Sequence, residues 1–578
     1  MSAINYVRIC LPPMPAIIEE FKENRILIAL SVLLVFWAVW PLFNPGFFPS
    51  MDGHIHLYHA FQLHEVLASG HIPPRWCADC FVGYGQPVFS FYSPLFFYLV
   101  ALLMSPLVGL LAAAKTVLIL AYLASFSGMF LLGREFWGFK GGLISALSYT
   151  LIPYQFINLY VRGAYPEFLI FSLLPFSFWS LYKLSQETRS IFFLISSLSL
   201  ALLFLAHNFL AVVSLPFILV FIILLSLQTK RPILFLPLAF GLSLSAFFWL
   251  PALLEKKYLL AEVEKLNYDF HDSFAYLNQL ISSPWGYGAN VKGPGDGMSF
   301  QVGFPHLVLF LFSIFVFPKL DALKKIIYIF GIFSFLAATF MTLPYSLLIW
   351  DNLPFLDYAQ FPWRFLVLVV FFVSFISGSI VLIFPKNNLL HKLLVFLVLA
   401  IIGFLNLPYA HPKDWHLQDI DSYYKESILG YPRAPVLGDD FTPRWALEKP
   451  KTMTEGKVLP RIEEDPFFEN GRFRFSTTFP EPTKITINNF YFPGWRVYLD
   501  NKENPIEISR TGLIMTQIPR GKHDIQLVFE ETFARKISDL LSLFSLIILI
   551  IIASQKRFLE KLNNLLNCLL QVIKIPRF

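Results

Sequence analysis

Residues 49–94 read PSMDGHIHLYHAFQLHEVLASGHIPPRWCADCFVGYGQPVFSFYSP and hold the densest polar chemistry of an otherwise apolar chain. The stretch follows the first long apolar run and reads as the active-site loop of a membrane protein. Gly53 to Ser69 has the pattern of a short helix on the membrane surface, with Asp52 as N-cap, Gly70 as its stop, and Pro73 and Pro74 preventing continuation. At helical spacing Asp52, His56, Ala60 and His64 form one stripe. A carboxylate at the end of a transmembrane segment, beside His54, His56 and aromatics, can take a proton from a sugar hydroxyl or help hold a cation. The same residues also allow a plainer reading, in which Asp52 only caps the helix and the histidines titrate at a wet interface.

Composition sets the class. The chain has 578 residues, 56% of them hydrophobic, 17% aromatic and only 15% charged, with a mean hydropathy of +0.60. These values describe a multi-spanning membrane protein. The net charge of +6 fits basic cytoplasmic loops, and no Lys/Arg-rich domain stands apart, so nucleic acid is excluded as a partner. Of the four cysteines, only Cys77 and Cys80 are close in sequence. They are read as a local disulfide ahead of a zinc site, because the loop is placed outside the cell and the spacing matches no zinc pattern. The first apolar run, from Ile26, lacks a small-residue cleavage site and reads as a retained anchor.

Long apolar runs recur from residue 26 to residue 407 and again at 538–553, and at this hydropathy they are expected to be helices. They amount to about 12–13 transmembrane segments. The cation-bearing stretches 134–140, 183–189, 230–231, 319–325, 386–392 and 555–561 mark the cytoplasmic side. That assignment is consistent only if one early run does not cross, and 91–112, with Pro94 and Pro106, is the expected exception. Asp52, residues 161–167, His207, the loop 252–303 and the segment 344–362 then share the outer face. Glycines in 285–288 and 292–297 would give that loop the mobility of a lid.

Residues 408–535 change character. Charge rises, apolar runs end, and period-two stretches alternate with Pro and Gly turns, which predicts an extracytoplasmic antiparallel β domain of sandwich type. The expected organisation is a membrane domain over 1–407 with its outer catalytic loop at 44–92, the β domain over 408–535, and a final helix with a basic amphipathic cytoplasmic tail over 536–578.

Several motifs carry a family likeness: Asp52 with its surface helix, GHIPPRW (70–76), GYGQP (83–87), FYSPL (91–95), Pro153-Tyr154, RGAYPE (162–167), FPWRFL (361–366) and the C-terminal FYFPGWRVYLDNKENPIE. Together they resemble the membrane family labelled 6-pyruvoyl-tetrahydropterin synthase-related, close to the YfhO-like membrane proteins. The broader resemblance is to the GT-C glycosyltransferases. It implies a polytopic α-helical GT-C-like fold in the plasma membrane, with the active site and β domain outside. It also implies a polyprenyl-phosphate-linked sugar as donor and a cell-envelope glycan, lipid or protein as acceptor. An acidic residue in the first outer loop carries catalysis in such enzymes, and Asp52 occupies that position. Glu167 matches, by order along the chain, the second acidic site that some of them use. There is no Asp-x-Asp pair, so the need for a divalent metal ion stays open.

In the implied reaction Asp52 is the general base and the anomeric centre inverts. Arg162 and Arg364 suit the departing phosphate by charge and fork geometry. Arg162 can equally pair with Glu167, and Arg364 can simply anchor the interface. Arg75, Trp76, Tyr84, Tyr92, His54, His56 and His207 complete the candidate substrate-binding set, with aromatic belts and a polar turn as the plain alternatives. Two other classes compete. A lipid-linked glycan transporter or flippase is disfavoured by the near absence of charge at the centres of the apolar segments. A non-catalytic envelope scaffold would require Asp52 to be dispensable.

Overall fold

The computed structural model describes residues 14–81, 83–261, 269–415, 441–448, 450, 456–462, 466, 468–469, 471–555 and 558–572. Its membrane part is a helical bundle. Among the described residues eight helices are long and apolar enough to cross a membrane, or nine if the bent pair Pro232–Leu244 and Ala246–Tyr258 is one span. The runs near 116–133 and 141–158 lie in two helices on either side of Gly138 (φ 76°, ψ 178°) within Leu110–Thr150, folded back so that a Cβ on Gly133 would stand 2.9 Å from Ser145, and the two count together among the eight. Two physical differences from the expected 12–13 remain. The runs near 191–206 and 305–317 form the shorter apolar helices Ser190–Ala206 and Phe304–Lys319. The run 91–112 yields only the nine-residue helix Leu95–Leu103, followed by an antiparallel bridge between Ser105 and Val108 that turns the chain at Pro106. Nine residues rise about 14 Å at 1.5 Å each, under half of a hydrocarbon core of roughly 30 Å.

Among the described residues the C-terminal domain has nine strands in two antiparallel sheets: β1 Val458–Leu459, β2 Phe468–Glu469, β3 Arg472–Phe479, β4 Thr483–Phe490, β5 Trp495–Leu499, β6 Lys502–Asn504, β7 Glu507–Ile508, β8 Leu513–Ile518 and β9 Gly521–Phe529. The sheet orders are β1-β4-β8-β7 and β2-β3-β9-β5-β6. Period-two alternation is plain in β3, where Phe473, Phe475 and Phe479 point inward and Arg472 and Arg474 outward. Ile485, Ile487, Trp495, Val497, Ile525 and Leu527 complete the core between the sheets. Residues 416–440, part of the stretch expected to belong to this domain, and 573–578 of the expected tail lie outside the described residues.

The two parts meet along a seam of buried charge. Arg75 is fully enclosed; its Nε reaches Glu531 at 3.2 Å, Nη2 reaches Asp539 at 2.6 Å, and Nη1 donates to the Phe247 carbonyl at 2.8 Å. That carbonyl lies just past the 63° bend, and the Phe247 N–H is taken by Ser542 Oγ at 2.8 Å. The Phe247 backbone groups at the bend are thus satisfied by the final helix, Phe533–Ser554, and by Arg75, as a low-dielectric setting requires. Nearby, Arg535 holds Glu255 through Nε at 2.9 Å and Nη2 at 2.7 Å, and Thr532 Oγ1 donates to the other Glu255 oxygen at 2.6 Å. Removing one partner of such a pair strands a buried charge. Arg535→Ala is therefore expected to lose about 3–5 kcal/mol of stability. The Arg535→Met/Glu255→Gln double variant should lose less, as read by thermal unfolding of the purified protein.

Candidate functional site

The site is built where the loop before the helix Gly53–Ala68 meets the RGAYPE turn. Residues Ile157–Arg162 form a π-helix that ends at Gly163 in the left-handed conformation, φ 65°. Its last carbonyls accept from that loop: Met51 N–H reaches Val161 O at 3.1 Å and Asp52 N–H reaches Arg162 O at 2.7 Å. Two glycines make this approach feasible. A Cβ on Gly163 would stand 2.2 Å from Ser50 Oγ, and one on Gly53 would stand 2.3 Å from the same atom and 2.7 Å from the Tyr165 hydroxyl. Short π segments of this kind occur often at functional sites.

Asp52 occupies the N-cap position of the helix Gly53–Ala68, yet its side chain makes no capping hydrogen bond. The plain capping reading is therefore set aside, and the carboxylate remains available to the site. Burial raises its pKa above the ordinary carboxylate value; Arg162 opposes that shift and Glu167 adds to it.

Beneath Asp52 lies one carboxylate shared by two guanidiniums. Glu167 Oε2 accepts from Arg162 Nη1 at 2.6 Å, and Oε1 accepts from Arg162 Nη2 at 2.9 Å and from Arg364 Nε at 2.8 Å. His207 Nε2 lies 3.5 Å from Oε1, while its Nδ1 accepts from the Leu210 N–H at 3.3 Å. A ring that accepts at Nδ1 is neutral and carries its proton on Nε2, facing Glu167. Arg162 is further held by Asn158 Oδ1 at 2.6 Å and by the Trp363 ring, 4.5 Å from the guanidinium. Glu167 was expected as a second catalytic acid. Both of its oxygens are committed to cations, so it is neither a free base nor an open metal ligand.

The remaining candidates divide clearly. His56 is buried among Tyr92, Phe97 and Tyr165, with ring centres 5.6, 6.0 and 5.9 Å away. The expected stripe thus faces the aromatic core and not a wet interface, and His64 Nδ1 meets the Ala101 carbonyl at 3.0 Å. Burial lowers the pKa of His54 and lowers that of His56 further. Tyr92 stays at the site's edge, 6.0 Å from Phe441. Arg75, Trp76 and Tyr84 are not brought to Asp52. Arg75 belongs to the charged seam, the Trp76 ring lies 5.2 Å from Trp495 in the β core, and Tyr84 packs on Phe490 at 5.7 Å. Cys77 and Cys80 form a disulfide, which consumes both thiols as metal ligands. The two glycine-bearing stretches suggested as a lid meet each other at the base of a loop: Gly288 N–H donates to Gly297 O at 2.9 Å, Gly297 N–H to Ala289 O at 3.0 Å, and Asp296 accepts from the Val291 N–H at 2.8 Å. Asn158, Gln360 and Trp363 were missed as site members, since a single amide or tryptophan in an apolar run gives no signal.

Among the described residues three or more His, Cys, Asp or Glu side chains nowhere gather as metal ligands, and at this site both oxygens of Glu167 accept from guanidiniums.

No family model matches the chain, so the family label suggested by the motifs finds no support there. An uncharacterised protein of Lactococcus lactis subsp. cremoris is 24% identical over 352 residues, covering 57% of this chain and 55% of that protein. In three dimensions the chain is similar to ArnT from Cupriavidus metallidurans, solved bound to undecaprenyl phosphate (12% identity, TM-score 0.40, 67% of this chain and 64% of that one). It is also similar to the Archaeoglobus fulgidus oligosaccharyltransferase tethered to an acceptor peptide (12%, 0.43, 74% and 59%) and to the mycobacterial arabinofuranosyltransferase AftD (15%, 0.41, 70% and 28%). The chain therefore spans less than two thirds of the length of each protein named.

Burial of His59 makes a direct prediction. Its pKa falls from 6.5 to about 4, so between these values the unfolded chain binds the proton more tightly than the native one. The stability from this group is complete above pH 6.5 and is lost as pH falls toward 4, by about 3 kcal/mol in all. Unfolding curves at pH 7 and pH 4.5 should show the loss, and His59→Phe should shrink it.

Proposed function

We propose that this protein is an integral membrane glycosyltransferase that moves a sugar from a polyprenyl-phosphate-linked donor to an envelope acceptor. The observation that carries the reading is an uncapped, partly buried carboxylate set against two guanidiniums that share a single carboxylate. Asp52 accepts the proton of the acceptor hydroxyl as its oxygen bonds to the anomeric carbon. The bond from that carbon to the phosphate oxygen breaks on the opposite face, so the configuration inverts, and the electron pair leaves with the lipid phosphate. Arg364 receives that phosphate, and Arg162, bound to Glu167 and Asn158, adds its charge from behind, the surplus of one positive charge over Glu167 matching the charge that develops. Glu167, held under both guanidiniums, fixes their orientation, with neutral His207 behind it. The raised pKa of Asp52 makes it a stronger base than a solvated aspartate and places the acid limb of the rate above the usual carboxylate range. The active site and β domain face outward in this proposal, in the plasma membrane.

The test is transfer of radiolabelled sugar from a panel of polyprenyl-phosphate donors in purified membranes. Asp52→Asn at equal expression should lower transfer by roughly 10²–10⁴-fold. Equal transfer by both proteins would remove Asp52 from the chemistry, and no transfer by the native protein from any donor would refute the enzyme reading.

A further inference from the structure

Arg364 ends its approach to the site on an unusual turn. Its Nε is bound to Glu167, and its Nη1 donates to the Ala359 carbonyl at 2.6 Å and to Gln360 Oε1 at 3.1 Å. Nη2 is the edge with no protein acceptor among the described residues. Gln360 itself has φ 61° and ψ −40°, and the Phe361 N–H reaches back across it to the Ala359 carbonyl at 2.6 Å. That is a three-residue γ-turn in its positive-φ form, a rare and strained conformation for a residue with a side chain. Glycine would adopt it freely, yet glutamine stands there. Its backbone brings the Ala359 carbonyl, and its side chain the amide oxygen, to the same nitrogen of the same arginine. Three acceptors on two of the guanidinium's nitrogens fix its plane and leave Nη2 as the one uncommitted edge.

We propose that Gln360 is a positioning residue for Arg364: the strained turn and the side-chain oxygen together hold the guanidinium so that Nη2 is presented to a phosphate monoester or diester. The inference rests on the reading of Arg364 as a phosphate-binding group. It explains why strain is retained at this position, since relaxing the turn would remove both acceptors that orient Nη1.

The test uses the full chain in detergent with farnesyl phosphate as the probe, comparing the native protein with Gln360→Gly and Arg364→Gln. Glycine relieves the strain and deletes the side-chain acceptor. Gln360→Gly should therefore unfold at a higher temperature, with strain relief outweighing glycine's added unfolded-state freedom. It should also bind the probe roughly fivefold to tenfold more weakly, and in transfer assays the defect should fall on the donor KM. Opposite signs for stability and binding are a signature that a merely structural residue would not give. If Arg364→Gln loses binding while Gln360→Gly binds as the native protein does, the positioning inference is overturned and the phosphate reading stands. If both variants bind like the native protein, the phosphate reading itself falls. A Gln360→Gly protein that is less stable as well as weaker in binding would reduce the turn to a structural support and overturn the inference.

Discussion

A single buried carboxylate organises the candidate site of this protein. Glu167 accepts from both Arg162 and Arg364, and without it two guanidiniums would sit unpaired in a nearly dry pocket, a situation proteins avoid because desolvated charge is so unfavourable. The pairing ties together three distant parts of the chain: the π-helix before Gly163, the first turn of the helix Tyr165–Gln186, and the segment entering the span Pro362–Ile383. Asp52 joins them through backbone hydrogen bonds to the π-helix end. Its side chain is thereby spared from holding the site together.

The charge balance gives the arrangement its chemical sense. Two arginines over one glutamate leave a surplus of one cation beside a carboxylate whose pKa is raised. Such an arrangement favours an anion at the guanidiniums and a proton acceptor at Asp52, which is what the proposed transfer would use. The second charged assembly, Arg75 and Arg535 with Glu255, Glu531 and Asp539, serves a different end. Its charges pair with one another, with Arg535 Nη1 and Glu531 Oε2 left without a hydrogen bond among the described residues, and it joins the final helix, the bent helix pair and the loop that carries Trp76 into the β core.

How much was legible in the sequence follows from which forces act locally. Hydropathy and loop charge were enough for the polytopic helical class, because backbone satisfaction in lipid leaves few alternatives, and period-two alternation was enough for the β domain. Asp52, Arg162 and Arg364 could be singled out because charge is rare in so apolar a chain. Partnering was not legible. Arg75 looked as available as Arg162 until Glu531 and Asp539, far away in sequence, were found on it. Trp76 and Tyr84 had the composition of a sugar platform but are spent on burying the loop against β4, β5 and β9. The histidines of the helix Gly53–Ala68 read as wet because imidazole is polar and the stretch was placed at the membrane surface. The neighbours of His56 and His59 in space are Tyr92 and Phe97, and no local pattern reports that.

The most direct measurement is photo-crosslinking of a polyprenyl phosphate carrying a photoreactive group next to the phosphate, in native membranes, with the labelled peptides identified by mass spectrometry. The account predicts labels on the peptides that carry Asp52, Arg162 and Arg364, competed away by unlabelled polyprenyl phosphate and not by the unphosphorylated polyprenol. Labels confined to other segments, or equal competition by the polyprenol, would contradict a phosphate-binding site under Asp52.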